Sequence, residues 1–397
     1  MERKCVKILV LSFYYNPDLS AGSFRTTALV NALKLKMPLN GQITVFTTHP
    51  NRYSSILIEA LLEENIEGVS IVRIQLPRHN SGMIDQSKAF FSYAHQVIKR
   101  TKNQEFDIVF ATSGRLMTAV LGAWVAHKKR VPLYLDIRDI FVDTVKDVLP
   151  KFSSKLIIPV LILLERWAIN TANKVNLVSE GFTDYFSTRY PNQRFSYFTN
   201  GIDDEFLFIK SQKSDLIKCS LVKVLYAGNI GEGQGLHLII PDLAKSMRGQ
   251  VQFKIIGDGG KKDKLIAALA LEGIDNVELY PPMNRQQLIE EYQAADVLFI
   301  HLNDYDAFRK VLPSKLFEYG AMGKPIWAGV SGYAADFIEH EINNAVIFQP
   351  CKADCAEVAF KRLQINHTCR TDFIEKFTRQ NIAMKMASDV IKTIGLD

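Results

Sequence analysis

The sequence predicts an α/β protein made of two doubly wound halves. Three observations carry this. Apolar runs of strand length alternate with helical patterns along the chain. Each half contains a strand, a glycine-bearing loop and a helix in succession, first at residues 6–36 and again from residue 221 onward. Finally, residues 297–327 read as strand, loop, helix and strand, with the helix opening just past a strand's carboxyl end.

The 397 residues allow two or three domains. With 47% hydrophobic and 23% charged residues, the composition is that of a globular protein. The five cysteines are scattered, and Cys351 and Cys355 have no nearby histidine pair, so reduced thiols in a cytoplasmic setting are expected. No signal peptide is visible. The longest apolar run, 156–164, is broken by Pro159 and falls far short of the ~20 residues that span a bilayer. Net charge is +6 but uneven: residues 1–200 hold 25 Lys and Arg against 16 Asp and Glu, hence +9, and the remainder is −3. A basic first half suits an anionic membrane or acceptor, or is a solvated surface. No basic stripe with interleaved aromatics points to nucleic acid.

In the first half, residues 6–13 form a buried-strand pattern. A loop carrying Ala21 and Gly22 follows, and Ser23 is the expected N-cap of a helix over 24–36. The dinucleotide fingerprint G-x-G-x-x-G is missing, which disfavours a nicotinamide-dependent oxidoreductase. Strands are expected at 42–48, 69–76 and 107–111, a helix at 84–102, and Ser113 and Gly114 at the head of another helix. An apolar strand from 131 ends abruptly in Asp136, Arg138 and Asp139. Polar residues crowded at the end of a buried strand suggest a cleft; a local salt bridge is the plain alternative. Residues 155–172 read as a core helix, with an interfacial helix at a membrane surface as the alternative, given lysines at 146, 151 and 155. A strand at 174–179, a helix capped by Ser179 and a strand at 195–198 complete this half.

In the second half the strand at 221–227 runs into Gly228-Asn229-Ile230-Gly231-Glu232-Gly233-Gln234-Gly235. Four glycines in eight residues let backbone N–H groups converge on an anion. A strand at 251–257 leads to Asp258-Gly259-Gly260, and another at 276–280 to Pro281 and Pro282. Asn284 is expected to cap a helix ending near Ala294. In the 311–327 stretch Pro313 suits the first helical turn, and Gly323 and Pro325 end the helix. A helix head suits a phosphate. Ser314, Lys315 and Glu318 share a face: a hydroxyl and an ammonium suit a diphosphate, and a carboxylate one turn on can accept from two vicinal ribose hydroxyls. The alternative is an ordinary amphipathic crossover helix with Glu318 solvated.

Pro-Ser-Lys-Leu-Phe-Glu-Tyr, followed by Gly-Lys-Pro, resembles the donor-nucleotide helix of the retaining glycosyltransferases of family 4, in the branch that builds bacterial surface polysaccharides. The resemblance implies the GT-B fold, two facing Rossmann-like domains with the active cleft between them. It places an acceptor-side domain at 1–200, with a helix at about 375–397 returning to it, and a donor domain at 201–374. It implies catalytic roles for Asp136, Arg138, Asp139 and Glu318, with Arg138 either binding a phosphate or pairing with Asp136. Donor binding falls to Gly22, Gly228, Asn229, Gln234, Gly257, Pro282, Arg309, Lys310, Pro313, Ser314, Lys315, Leu316 and Glu318. Two departures stand out. Asn229 and Gln234 are neutral where many members carry Arg and Lys. Lys310 holds the place of the first of the family's two glutamates. Asp304-Tyr305-Asp306 matches the metal motif of the other large glycosyltransferase fold, but the alternation of elements argues against it, and neither metal nor cofactor is expected.

The implied reaction moves a sugar, an N-acetylated amino or deoxyamino sugar, from a UDP-type donor to a lipid-linked or oligosaccharide acceptor with retention, in the cytoplasm or at the cytoplasmic face of the inner membrane. A nucleotide-sugar 2-epimerase and a non-catalytic scaffold of a polysaccharide assembly complex are the rivals.

Overall fold

The computed structural model describes residues 5–50, 59–77, 83–148, 151–207 and 221–395. Two compact units result, one of residues 1–200 with 379–397 and one of residues 201–378.

The first unit alternates as expected. Its elements are β1 (Lys7–Leu11), α1 (Ala21–Lys36), β2 (Gln42–Thr48), β3 (Glu63–Ile66), β4 (Val69–Ile74), α2 (Met83–Thr101), β5 (Ile108–Ser113), α3 (Leu116–Lys129), β6 (Leu133–Ile137), α4 (Phe141–Val148), α5 (Lys151–Thr171), β7 (Lys174–Leu177), α6 (Thr183–Arg189) and β8 (Phe195–Ser196). Among the described residues the sheet order is β3-β4-β2-β1-β5-β6-β7-β8. All pairs are parallel except β3 with β4. That antiparallel edge, unforeseen in the sequence, turns on Glu67 and Gly68, both at positive φ, as a tight hairpin requires. From β1 the chain winds outward through β2 and β4, then returns to β5 and winds the other way. The order therefore reverses between β1 and β5, and the loops after those strands diverge to leave a crevice.

The second unit holds β9 (Val222–Asn229), α7 (Leu236–Ser246), β10 (Val251–Asp258), α8 (Lys262–Leu271), β11 (Val277–Tyr280), α9 (Arg285–Ala294), β12 (Val297–His301), α10 (Lys315–Ala321), β13 (Ile326–Gly329), α11 (Tyr333–Glu341), β14 (Ala345–Phe348), α12 (Ala353–Phe360) and α13 (Thr371–Phe377). Its parallel sheet runs β11-β10-β9-β12-β13-β14, so its reversal lies between β9 and β12. Trp327 is fully buried there, 5.3 Å from the Phe299 ring and 6.2 Å from that of Phe253. Gly257 sits opposite Gly228 in the β9–β10 register, and a Cβ on it would lie 1.9 Å from the Gly228 carbonyl oxygen. Close strand approach therefore explains this glycine without invoking a ligand.

The returning helix, expected at about 375–397, starts later, and a separate helix, α13, precedes it. Thr378 leaves helical geometry at ψ 133°, and α14 (Arg379–Lys392) belongs to the first unit, where Met386, Ala387 and Val390 pack with Leu29, Val30 and Leu33 of α1. The cap of α1 also moves. Ser20 is extended and its hydroxyl accepts from the Ser23 amide at 3.1 Å, so Gly22 and Ser23 lie inside the first turn. Helix α4 was not foreseen.

One buried ion pair knits the first unit. Arg25 of α1 donates to both carboxylate oxygens of Asp136 on β6, each at 2.9 Å. The same guanidinium donates to the Phe198 carbonyl at 2.8 Å and to the Thr199 carbonyl, and touches Met386 of α14 at 3.5 Å. Thr112 of β5 and Asn176 of β7 donate to Asp136 at 3.1 and 2.8 Å. Burial alone would raise the Asp136 carboxyl, but Arg25, Arg138 and Asn176 outweigh it and hold it below its ordinary range. Its stabilising contribution is therefore complete above the ordinary carboxylate pKa and is lost as pH falls through the lower folded value. Arg25→Leu, which strands the buried carboxylate, should cost about 3–5 kcal/mol near pH 7, read by urea unfolding. The deficit should shrink toward pH 4, because the stranded acid, now pushed up by burial, protonates. Arg25→Leu combined with Asp136→Leu should cost less than Arg25→Leu alone.

Candidate functional site

In the first unit the site residues gather where β1, β5 and β6 end. Asp136 was expected to act in catalysis, with Arg138 as an alternative partner. The structure corrects both readings. Every Asp136 oxygen is engaged by Arg25, Thr112 or Asn176, and the residue is buried, so it positions neighbours rather than meeting a ligand. Arg138 is thereby left over. Its Nε is buried with no hydrogen-bond partner among the described residues. Its Nη1 lies against two glycines: a Cβ on Gly22 would sit 2.2 Å from it, and one on Gly114 3.6 Å. Gly22 is needed for the space its missing side chain leaves to this guanidinium. Ser113, expected at a helix head, is the last residue of β5, and its carbonyl accepts from the Arg138 amide at 3.4 Å.

Asp139 keeps solvent-exposed surface. The protein packed around it still removes enough water to push its carboxyl up to about 6, against the opposing pull of Arg138. It lines a cavity of about 10 Å³ together with Ser113 and Glu165. Glu165, on α5, was not singled out in the sequence. It is buried and accepts from Tyr190 at 2.8 Å and Tyr185 at 3.1 Å, and burial raises its carboxyl above the usual range despite those bonds. The signal was present: a lone acid in an apolar helix.

In the second unit the site residues lie at the ends of β9 and β12, on either side of the order reversal. The glycine loop is tied down from the β12 side. His301 holds the Gln234 carbonyl at 2.7 Å through Nδ1, and its Nε2 accepts from the Cys351 amide at 2.9 Å. Those two bonds fix the ring as the neutral Nδ1–H tautomer, and burial drives its pKa down to about 4. Asn303 donates to the Glu232 carbonyl at 3.0 Å through its side chain and to the Gly233 carbonyl at 2.8 Å through its backbone. With its carbonyls anchored, the loop makes a short 3-10 turn at Glu232–Gln234, and the head of such a turn leaves its first amides without intrahelical acceptors. Asn229 and Gln234 hydrogen-bond each other at 2.8 Å, which stiffens the loop and adds no charge.

Helix α10 is shorter than expected. It begins at Lys315 with Ser314 as a cap that makes no side-chain bond, so Pro313 precedes the helix. Glu318 is 8% exposed, which removes the reading of a solvated acid. Its Oε2 accepts from Lys315 Nζ at 2.7 Å and from Tyr292 at 3.2 Å, and Lys315 also donates to Tyr292 at 2.8 Å. Oε1 has no hydrogen bond among the described residues and is not a fully buried atom. Lys315 is thus held on the acid rather than extended toward an anion. Leu316 is fully buried in the core, so its side chain cannot serve a ligand. Arg309 is exposed and pairs with Asp304 at 3.2 Å and Asp306 at 3.8 Å, so the Asp-x-Asp segment has a cation of its own. Lys310 is half-buried in the adjoining turn, and Pro282 is half-buried in the loop between β11 and α9. Tyr292 and His301 were missed, because neither motif nor spacing marks a tyrosine or a strand-end histidine.

Comparison with known proteins agrees with this geometry. Residues 210–380, less than half of the chain, match the family model described as Glycosyl transferases group 1. Over 100 residues the chain is 32% identical to the putative colanic acid biosynthesis glycosyl transferase WcaI of Escherichia coli (strain K12), a match covering 25% of this chain and 24% of that relative. Among solved structures, sucrose-phosphate synthase from Thermosynechococcus elongatus superposes with a TM-score of 0.74 at 12% identity, covering 98% of this chain and 99% of the other. Anabaena HepE in complex with UDP-glucose superposes at 0.61 with 17% identity, covering 98% and 97%. The chain has the GT-B class of architecture, two Rossmann-like α/β units with parallel sheets, and most of its second unit lies within the stretch that matches the Glycosyl transferases group 1 model.

Proposed function

We propose that the protein is a retaining glycosyltransferase that moves a sugar, an N-acetylated amino or deoxyamino sugar, from a UDP-type donor to a lipid-linked or oligosaccharide acceptor in surface-polysaccharide synthesis, at the cytoplasmic face of the inner membrane. The observation that carries the donor half is Glu318. It is a buried carboxylate beside the order reversal of the second sheet, inside the segment that matches the family model, with one oxygen engaged and one open. HepE, whose fold the chain shares, was solved with UDP-glucose, and the colanic acid relative supports a polysaccharide product.

In this reading Oε1 of Glu318 accepts from a ribose hydroxyl. Lys315 leaves Oε2 for the diphosphate when donor arrives, and the second ribose hydroxyl takes its place. As the bond from the anomeric carbon to the β-phosphate loosens, negative charge grows on the departing diphosphate. Lys315, the amides at the Glu232–Gly233 turn and the Ser314 hydroxyl stabilise it, with Lys310 nearby in sequence and Arg309 available once it leaves Asp304. In the first unit the Arg138 guanidinium, whose Nε has no hydrogen-bond partner among the described residues, binds an anionic group of substrate, and Asp139 orients the acceptor hydroxyl or the sugar. One observation favours a donor-free scaffold instead: Asn229 and Gln234 bond each other and bring no cation to the glycine loop.

Calorimetric titration with UDP and UDP-sugars separates these readings. The transferase binds UDP; a scaffold has no need to. Glu318→Ala should weaken UDP binding by about 10- to 100-fold, the worth of a charge-assisted hydrogen bond, while the fold persists. Unchanged affinity would remove the donor assignment. A second expectation concerns pH. With the Asp139 carboxyl at about 6, the working carboxylate fills as pH rises through that value, so the transfer rate should climb between roughly pH 5 and 7. Asp139→Asn should lower the rate and abolish that limb; a limb that persists in the variant assigns it to another group.

A further inference from the structure

The face of α5 that turns away from the first unit is apolar where a surface helix is ordinarily polar. Ile157, Val160, Ile162, Leu163 and Trp167 are 36%, 55%, 43%, 65% and 37% exposed. Val160, Leu163 and Trp167 are spaced three and four apart and so share one face. No other helix among the described residues exposes as many large apolar side chains; the remaining exposed ones are spread along the chain. The helix was expected to be core, and its opposite face is: Glu165, Ala168 and Ile169 are buried.

We infer that this face of α5 docks on an anionic lipid bilayer, lying in the interface plane rather than crossing it. Three observations select lipid as the occupant. No helix among the described residues is long and apolar enough to span a membrane, so attachment is lateral. Charge complements an anionic surface: between Asp147 and Glu165 the sequence holds Lys151 and Lys155 and no acid, Arg166 is exposed beside Trp167, and residues 1–200 carry +9. Trp167, half-exposed next to that arginine, is the residue type that settles at the boundary of headgroups and acyl chains.

The inner face of the same helix supplies Glu165 to the cavity that Asp139 lines. A helix is about 10–12 Å across with its side chains. Docking by the outer face therefore holds the bilayer roughly one helix diameter from Asp139, within reach of a headgroup carried on a lipid. This deepens the proposed function, on which it relies only for the acceptor's being lipid-linked.

Co-sedimentation with vesicles tests the docking directly. The full chain should pellet with vesicles of phosphatidylglycerol mixed with phosphatidylcholine. It should bind phosphatidylcholine alone weakly, and should lose part of its binding in high salt. The combined variant Val160→Ser, Leu163→Ser and Trp167→Ser, all on exposed positions, should keep the wild-type melting temperature and UDP affinity while binding vesicles at least about tenfold more weakly. The inference is overturned if the wild type stays in the supernatant, or if the folded triple variant pellets equally well. It is also overturned if sedimentation velocity shows a dimer that the variant turns into monomers without any vesicle binding, which assigns the face to a second copy. Loss of vesicle binding with intact UDP affinity, and the reverse, separate failure of the docking surface from failure of the donor site.

Discussion

The Arg25–Asp136 ion pair is the constraint on which the first unit's chemistry depends. One guanidinium ties together the first helix, the sixth strand, the turn at Phe198–Thr199 and the returning C-terminal helix. A buried ion pair of this kind adds little stability over an apolar replacement, since desolvating both charges offsets most of their attraction. Its consequence here is selection. Asp136 can satisfy one arginine fully, and Arg25 takes both oxygens. Arg138, two residues along, is held nearby by the same field but left with a buried Nε that has no hydrogen-bond partner among the described residues. A buried N–H without an acceptor is costly unless something anionic visits it.

That division of roles explains what the sequence could and could not show. The cluster Asp136, Arg138 and Asp139 was legible as polar residues at the end of an apolar strand. Which carboxylate pairs with which arginine was not, because Arg25 lies 111 positions away and looks, in sequence, like one polar residue in an amphipathic helix. The two doubly wound halves followed from alternation; where each strand order reverses did not. Short elements did not: the β3 edge has four residues and a weak apolar pattern, and α4 directly follows the polar cluster that reads as loop. Capping was ambiguous where two serines compete. Ser20 and Ser23 have the same chemistry, and only the extended backbone at Ser20 decides. For α5 the periodic apolar content was visible but its orientation was not, since a helix apolar nearly all round does not declare which side the core takes.

In the second unit the glycine loop and His301 form one mechanical system. The histidine bridges the Gln234 carbonyl and the Cys351 amide, so the loop's shape is set by a residue at the end of the neighbouring strand. Because burial holds the ring neutral down to about pH 4, this bridge is constant through the physiological range and is no switch. The neutral Asn229–Gln234 pair belongs to the same logic. The loop is tied down by its own bonds, which in the proposed function lowers the ordering cost of donor binding and leaves charge to be supplied from α10.

The remaining question is why a lysine should rest on Glu318 at all. Glu318 is 8% exposed, its Oε2 takes bonds from both Lys315 and Tyr292, and the Arg285 guanidinium interacts with it electrostatically. Lys315, one turn away, holds the carboxylate in place, and Tyr292 braces both groups at once. Leaving the acid costs the lysine one charge-assisted bond, and the move is favourable only if another anion receives it. A diphosphate offers more negative charge than a carboxylate, and a ribose diol offers the acid replacement donors. The exchange therefore conserves hydrogen bonds on both sides only when phosphate and ribose arrive on the same molecule. A free anion or a free sugar satisfies one partner and strands the other, so under the proposed donor role the triad should favour nucleotides over either fragment.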